Sequence, residues 1–219
     1  MERVANLQLC SDDATAVKQA LTALKKPSRP SGDGAAQLKQ EMQLLAGLFG
    51  MDSKAANGLK NVSPAMLNTL GKAFVQSRYG PWLVSEGENG WVTVLCDSFS
   101  QENIEEEAER LSAQLPDTVI LAVGGSFSTV CLSVWRDGEC LACHRQGREL
   151  IHARPCTGSP MAFARLLGCG ELDIARVFRA DVEDQLDALS ALLQHDLRLS
   201  ADGLYPGERK AFTEIPRYR

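Results

Sequence analysis

Apolar and polar positions alternate along this chain with two distinct periods, and the change of period marks out the elements. Residues 3–10 alternate in steps of two, with Val4 on one side and Ala5, Leu7 and Leu9 on the other, the pattern of a strand. Ser11, Asp12 and Asp13 then offer side-chain oxygens to a helix start, and Ala14, Val17, Leu21 and Leu24 follow at helical spacing. A breaker-rich stretch, 27–34 (PSRPSGDG), reads as a connection or boundary. Helical spacing returns over 37–49 through Leu38, Met42, Leu45 and Phe49. It returns again after Ser63-Pro64 through Leu67, Leu70 and Phe74, and Gly80-Pro81 ends that run.

The strongest signals lie between Pro81 and His144, the stretch that holds all three tryptophans. Residues 82–86 and 91–96 are rich in Val, Thr and Trp. The intervening Asn89-Gly90 tolerates positive φ, which predicts a hairpin. A helix over 101–115 follows, capped by Asp97, Ser98 or Ser100, with Ile104, Ala108, Leu111 and Leu115 on one face and the run Glu105–Glu107 on a solvated one. Pro116-Asp117 stops it. Strands are predicted over 118–123, with Gly124-Gly125 as a turn, over 129–135, and over 139–144 after an Asp137-Gly138 turn. The strand-helix-strand passage predicts a crossover with parallel strands. With antiparallel hairpins on either side, the expected fold is α+β: a mixed, largely antiparallel sheet of about five to six strands, helices on one face, and a C-terminal helical segment. That segment comprises a helix opened by Ser159-Pro160 and stopped by Gly168, then 171–178 and 182–193. The expected organisation is a strand-helix unit plus helical segment over 1–80, the sheet and C-terminal helices over 81–199, and an irregular tail over 200–219, with one compact domain as the alternative. The strand-cap-helix units of 3–24 and 91–115 echo one another, each strand ending in Leu-Cys, which is consistent with a short duplication.

The Asn-Gly-Trp hairpin, acidic helix, Asp-Gly hairpin and trailing ARLLG and VEDQLDALSALL helices resemble an uncharacterised bacterial α+β family over about residues 81–197. The resemblance implies a fold and a bacterial origin, and it implies no activity.

Composition narrows the function classes. A net charge of −5 argues against a nucleic-acid-binding surface. The start, MERVANLQLC, has no apolar leader core and no run approaches a membrane span, so a cytoplasmic protein without membrane association is expected. Seven cysteines, an odd number mostly in apolar contexts, predict reduced thiols and no disulfides.

The candidate chemistry gathers at 140–156. Cys140-Leu-Ala-Cys143-His144 matches the haem c attachment pattern, but thiols three apart on a strand point to opposite faces. Cys140, Cys143, His144, His152 and Cys156 could supply zinc ligands, although their spacing lacks two clean pairs. Arg145, Arg148, His152 and Arg154 form a basic patch before the helix at Pro160, the pattern of an anion site. A phosphatase loop on Cys156 would need Arg at position 162, which is alanine. Walker, dinucleotide and G-x-S-x-G motifs are absent from the sequence. The expectation is therefore a non-enzymatic protein-interaction domain without cofactor, antitoxin- or immunity-like by analogy, working on an unidentified protein partner. The alternative is a metal- or small-anion-binding protein using 140–156.

Overall fold

The computed structural model describes residues 3–24, 80–147 and 158–217. The chain divides into two compact units, 1–25 with 81–216, and 26–80 with 217–219. The helices expected over 37–49 and after Ser63-Pro64 lie outside the described residues.

The first unit contains β1 (Val4–Cys10), α1 (Ala14–Ala23), β2 (Trp82–Val84), β3 (Trp91–Leu95), α2 (Ile104–Ser112), β4 (Ile120–Ser126), β5 (Thr129–Arg136) and β6 (Glu139–Gly147). It continues with α3 (Pro160–Leu167), α4 (Glu171–Val177), α5 (Val182–Leu193), the turn-length α6 (Pro206–Arg209) and β7 (Thr213–Ile215). Among the described residues the strands form one seven-stranded sheet in the order β6-β5-β4-β1-β3-β2-β7. It is an α+β fold, and every pair of neighbours is antiparallel rather than mixed.

The crossover through α2 does leave β3 and β4 running the same way, but they do not touch. β1 lies between them, antiparallel to both, with Leu7 opposite Val94 on one side and Ala122 on the other. The seventh strand comes from the tail: β7 pairs with β2, Trp82 opposite Ile215. Three residues are too few to show a period, so the sequence pattern does not reveal it.

Both predicted hairpin turns form on positive φ, Asn89 at 51° with Gly90 at 81°, and Asp137 at 53° with Gly138 at 79°. Gly124-Gly125 makes no turn. Both glycines lie inside β4, which reaches Ser126 and turns at Phe127-Ser128. They sit where helices approach from opposite sides: a Cβ would stand 3.4 Å from Ile104 Cγ2 at Gly124 and 3.0 Å from Leu186 Cδ1 at Gly125.

Those two contacts lie on opposite faces, and helices cover both faces of the sheet rather than the one expected. Against one face, α1 and α2 pack Val17, Leu21, Ile104, Ala108 and Leu111 on Leu7, Leu9, Val92, Val94, Ile120, Ala122 and Trp135. The C-terminal helices occupy the other, where Phe163, Ile174, Leu186 and Leu189 meet Val4, Leu121, Val123, Val130, Leu132 and Val134. Fully burying each such side chain stabilises the fold by about 1.5–3 kcal/mol before entropy is counted. The caps of α3 form as the sequence predicts, whereas α2 begins after Asn103 with no side-chain cap bond rather than from Asp97, Ser98 or Ser100. Ser159 Oγ accepts from the Ala162 N–H at 3.2 Å, and Gly168 ends α3 in the left-handed region at φ 71°.

Candidate functional site

The β6 ladder separates what the sequence groups together. Along a strand, neighbouring side chains leave on opposite faces. His144, opposite Leu132, turns toward α5: its Nε2 donates to Gln185 Oε1 at 3.0 Å, and its ring lies parallel to Phe178 with centroids 3.8 Å apart. Gln185 is fully buried and continues the chain of bonds, donating to Gln146 Oε1 at 2.6 Å and to the Ala180 carbonyl at 3.0 Å. Burial pushes the His144 pKa down, and the bond to Gln185 opposes that.

Arg145, opposite Cys131, turns toward α2, where its Nη2 donates to both carboxylate oxygens of Glu105 at 2.6 and 2.5 Å; the two side chains are only 7% and 15% exposed. Glu107 likewise pairs with Arg110 at 2.6 Å, and that guanidinium lies 5.9 Å from the Trp82 ring centroid. Two of the three glutamates expected on a solvated face thus hold arginines, and Glu106 alone is exposed.

Cys140 is exposed at a register shift in β6, whereas Cys143 is buried. Cys10, Cys96, Cys131, Cys140 and Cys169 are free thiols; the exception to the expected reduced state is Cys143, which is disulfide-bonded. Arg148, His152, Arg154 and Cys156 lie outside the described residues. Among the described residues, no group of three or more His, Cys, Asp or Glu side chains could hold a metal ion.

The structure assembles two polar sites that the sequence does not single out. The first is buried at the middle of the sheet. Asn6 and Gln8 share the face of β1 with Val4, and both are fully buried. Asn6 Nδ2 donates to the carbonyls of Leu197 at 2.9 Å and Leu199 at 2.8 Å, and its Oδ1 accepts from Gln8 Nε2 at 2.7 Å. Gln8 Oε1 in turn receives the Thr93 hydroxyl at 2.8 Å and His195 Nε2 at 2.8 Å. An amide oxygen only accepts, so the His195 proton sits on Nε2 and Nδ1 carries the lone pair. The imidazole is 8% exposed and stacks near Trp91, centroids 6.3 Å apart.

The second is a cleft of about 160 Å³ where β1 begins and β3 and β4 end. Arg3, Asp97, Glu102 and Asp202 supply its charged lining, with Ser100 and Ser126 among the neutral polar groups. Asp97 is held from outside the cleft by Arg209, through bonds of 3.1 and 3.0 Å. The Ser100 hydroxyl, the backbone and Arg3 together hold the Glu102 carboxyl below its ordinary range. Phe127, next to Ser126 at the β4–β5 tip, is 68% exposed.

No family model matches the chain, and no significant match emerges among curated proteins or solved structures. The cleft draws its walls from four separate segments, around 3–5, 96–102, 126 and 200–202. Sequence spacing cannot reveal such a set, and the one local hint is an aromatic residue at a hairpin tip. For the buried network the hint is two amides in a strand otherwise made of Val, Ala, Leu and Cys.

Proposed function

We propose that this protein is a non-enzymatic interaction domain that docks a protein partner on the strand-end cleft, with Phe127 as the aromatic anchor. The observation that carries the reading is Phe127 itself, two-thirds exposed on a two-residue turn beside a polar cleft. Aromatic anchors surrounded by polar rims dominate protein interfaces, and a single one contributes about 2 kcal/mol or more to binding. Asp97, Glu102 and Asp202 outnumber Arg3 and Arg209 around the cleft, which favours a partner presenting basic side chains. The chemistry-bearing side chains described above support a binding role: His144 and Arg145 are engaged in packing the sheet.

Among the described residues no helix is long and apolar enough to cross a membrane. Five free thiols support a reducing, cytoplasmic setting, and the Cys143 disulfide is the observation that pulls the other way.

The test is affinity capture with the parent, Phe127→Ser, Asp202→Lys and the control Leu172→Ser, followed by calorimetry with the purified captured partner. Loss of about thirtyfold in affinity is expected for Phe127→Ser, salt-sensitive weakening for Asp202→Lys, and parent behaviour for Leu172→Ser. Parent-like affinity in both cleft variants would sink the proposal.

A further inference from the structure

The buried network does more than fill the core. It ties the strap that follows α5 across the centre of the sheet: His195 bonds Gln8 and lies 3.0 Å from Thr93 Oγ1, while Asn6 holds the carbonyls of Leu197 and Leu199. Beyond those ties, Ala201 packs with Leu83 and Leu95, and Ser200, Ala201 and Asp202 line the strand-end cleft. One wall of the cleft is thus fixed through His195 and Asn6.

Among the described residues His195 Nδ1 is buried without a hydrogen-bond partner. A lone pair there is tolerable. A proton there would be a buried donor with nowhere to go, on a ring whose other nitrogen is already committed. The groups packed around the ring (Gln8, Thr93 and Trp91) are neutral, and the charged groups that act on it are the carboxylates of Glu88 and Asp196. Those carboxylates favour the imidazolium, yet burial outweighs them and holds the pKa below the ordinary value.

We propose that His195 is an acid-sensitive latch: protonation at its buried Nδ1 releases the strap over 195–201 from the sheet and loosens that wall of the cleft. The sign follows from linkage. A histidine harder to protonate when folded leaves the closed form at full stability above the ordinary imidazole pKa. Stability is then lost as pH falls toward the lower, folded value, and nothing further is lost below it. The strap opens while β4 and β5, which the latch does not touch, stay paired. The latch stands apart from the partner proposal, because the strap's state is read with no partner present.

The experiment is amide hydrogen exchange as a function of pH, expressed as protection factors, on the full chain, its His195→Gln and His144→Gln variants. Glutamine keeps a donor for Gln8 and does not titrate. Between about pH 7.5 and about pH 5, amides of 195–201 in the parent should lose protection about tenfold for each unit by which the folded pKa is depressed. Amides of β4 and β5 should hold theirs. His195→Gln should flatten the strap response and His144→Gln should retain it. An unchanged strap in the parent, an equal response in parent and His195→Gln, or a response lost in His144→Gln would each overturn the latch. If His195→Gln fails to fold, the His195 imidazole resonance of the parent decides. A midpoint below the ordinary imidazole value that coincides with strap release supports the latch, and an ordinary midpoint overturns it.

Discussion

The two faces of the sheet are covered by helices of similar length, yet they are held in different ways. Under α1 and α2 the contact is mainly apolar: Ile104, Ala108, Leu111 and Ile120 are fully buried, and the charged pairs Glu105–Arg145 and Glu107–Arg110 stand beside that core. Under the C-terminal helices the cover is apolar over β4, β5 and β6, but it changes over β1 and β3 to amides, a hydroxyl and an imidazole. Both described histidines serve this second face, each donating through Nε2 to a glutamine carbonyl oxygen. Area burial tolerates a change of pH. Directional bonds to a titratable ring do not, so across the imidazole range the second face is the one expected to respond to acid.

The largest expected effect breaks the apolar face. Leu111→Asp buries a carboxylate among Leu and Ile side chains without a partner, a cost on the order of 5 kcal/mol, comparable with the whole stability of many domains. No soluble folded protein should be recovered, as judged by chromatography and circular dichroism. A variant that melts like the parent would mean the buried face is misassigned.

Next comes the ion pair beside that face. Glu105→Ala leaves a guanidinium in a site where its side chain is 7% exposed, and breaking such a pair costs about 3 kcal/mol. Urea unfolding should show that loss, and Arg145→Met in the same background should recover part of it by removing the buried guanidinium. A loss no larger than that of an exposed pair would place Arg145 in solvent instead.

How much of this comparison was legible beforehand differs between the faces. The apolar side of α2 could be read directly, because Ile104, Ala108, Leu111 and Leu115 repeat at the period of a helix and nothing competes with that reading. The other face was obscured at three places for three physical reasons. Asn6 and Gln8 alternate with Ala5 and Leu7 as they would on a half-exposed strand; a period of two says which residues share a face, not whether a strap covers it. Gly124-Gly125 reads as a turn because glycine tolerates positive φ, yet here its use is the missing Cβ, which admits α2 and α5 from opposite sides. His144 and Arg145 read as one basic patch because they are adjacent, whereas the strand sends them to different faces. Of the strand-end cleft only the aromatic Phe127 hints in the sequence, since its four segments meet only through the sheet order.

Acidification tests the second face, which both described histidines serve. Burial lowers the pKa of both His144 and His195, so both are harder to protonate folded than unfolded. The stability they contribute is complete above the ordinary imidazole value and declines as pH drops below it. Urea midpoints should therefore fall on the acid side of about pH 6.5, with His144→Gln showing a shallower fall than the parent. Equal slopes would mean that His144 titrates alike in both states and that its bond to Gln185 is indifferent to charge.

The smallest effect sharpens the comparison by moving one residue along α2. Glu106 is exposed between Glu105 and Glu107, which are both drawn into arginine pairs. Successive helical residues diverge by about 100°, so Glu106 points away from Arg145 and from the sheet. Glu106→Lys removes an anion from the first turn, where the helix dipole favours one, and puts a cation in its place. Against that, the substitution separates three consecutive like charges and lowers the net negative charge of the chain. The two contributions oppose one another and each is below about 1 kcal/mol, so the melting temperature should move by no more than a few degrees. Glu105→Lys, one position earlier, should bring two cations together in a nearly dry site and unfold the α2 layer. Similar losses for the two substitutions would show that the helix is rotated from the orientation the Glu105–Arg145 pair defines, and the division between an apolar face and a polar one would have to be redrawn around α2.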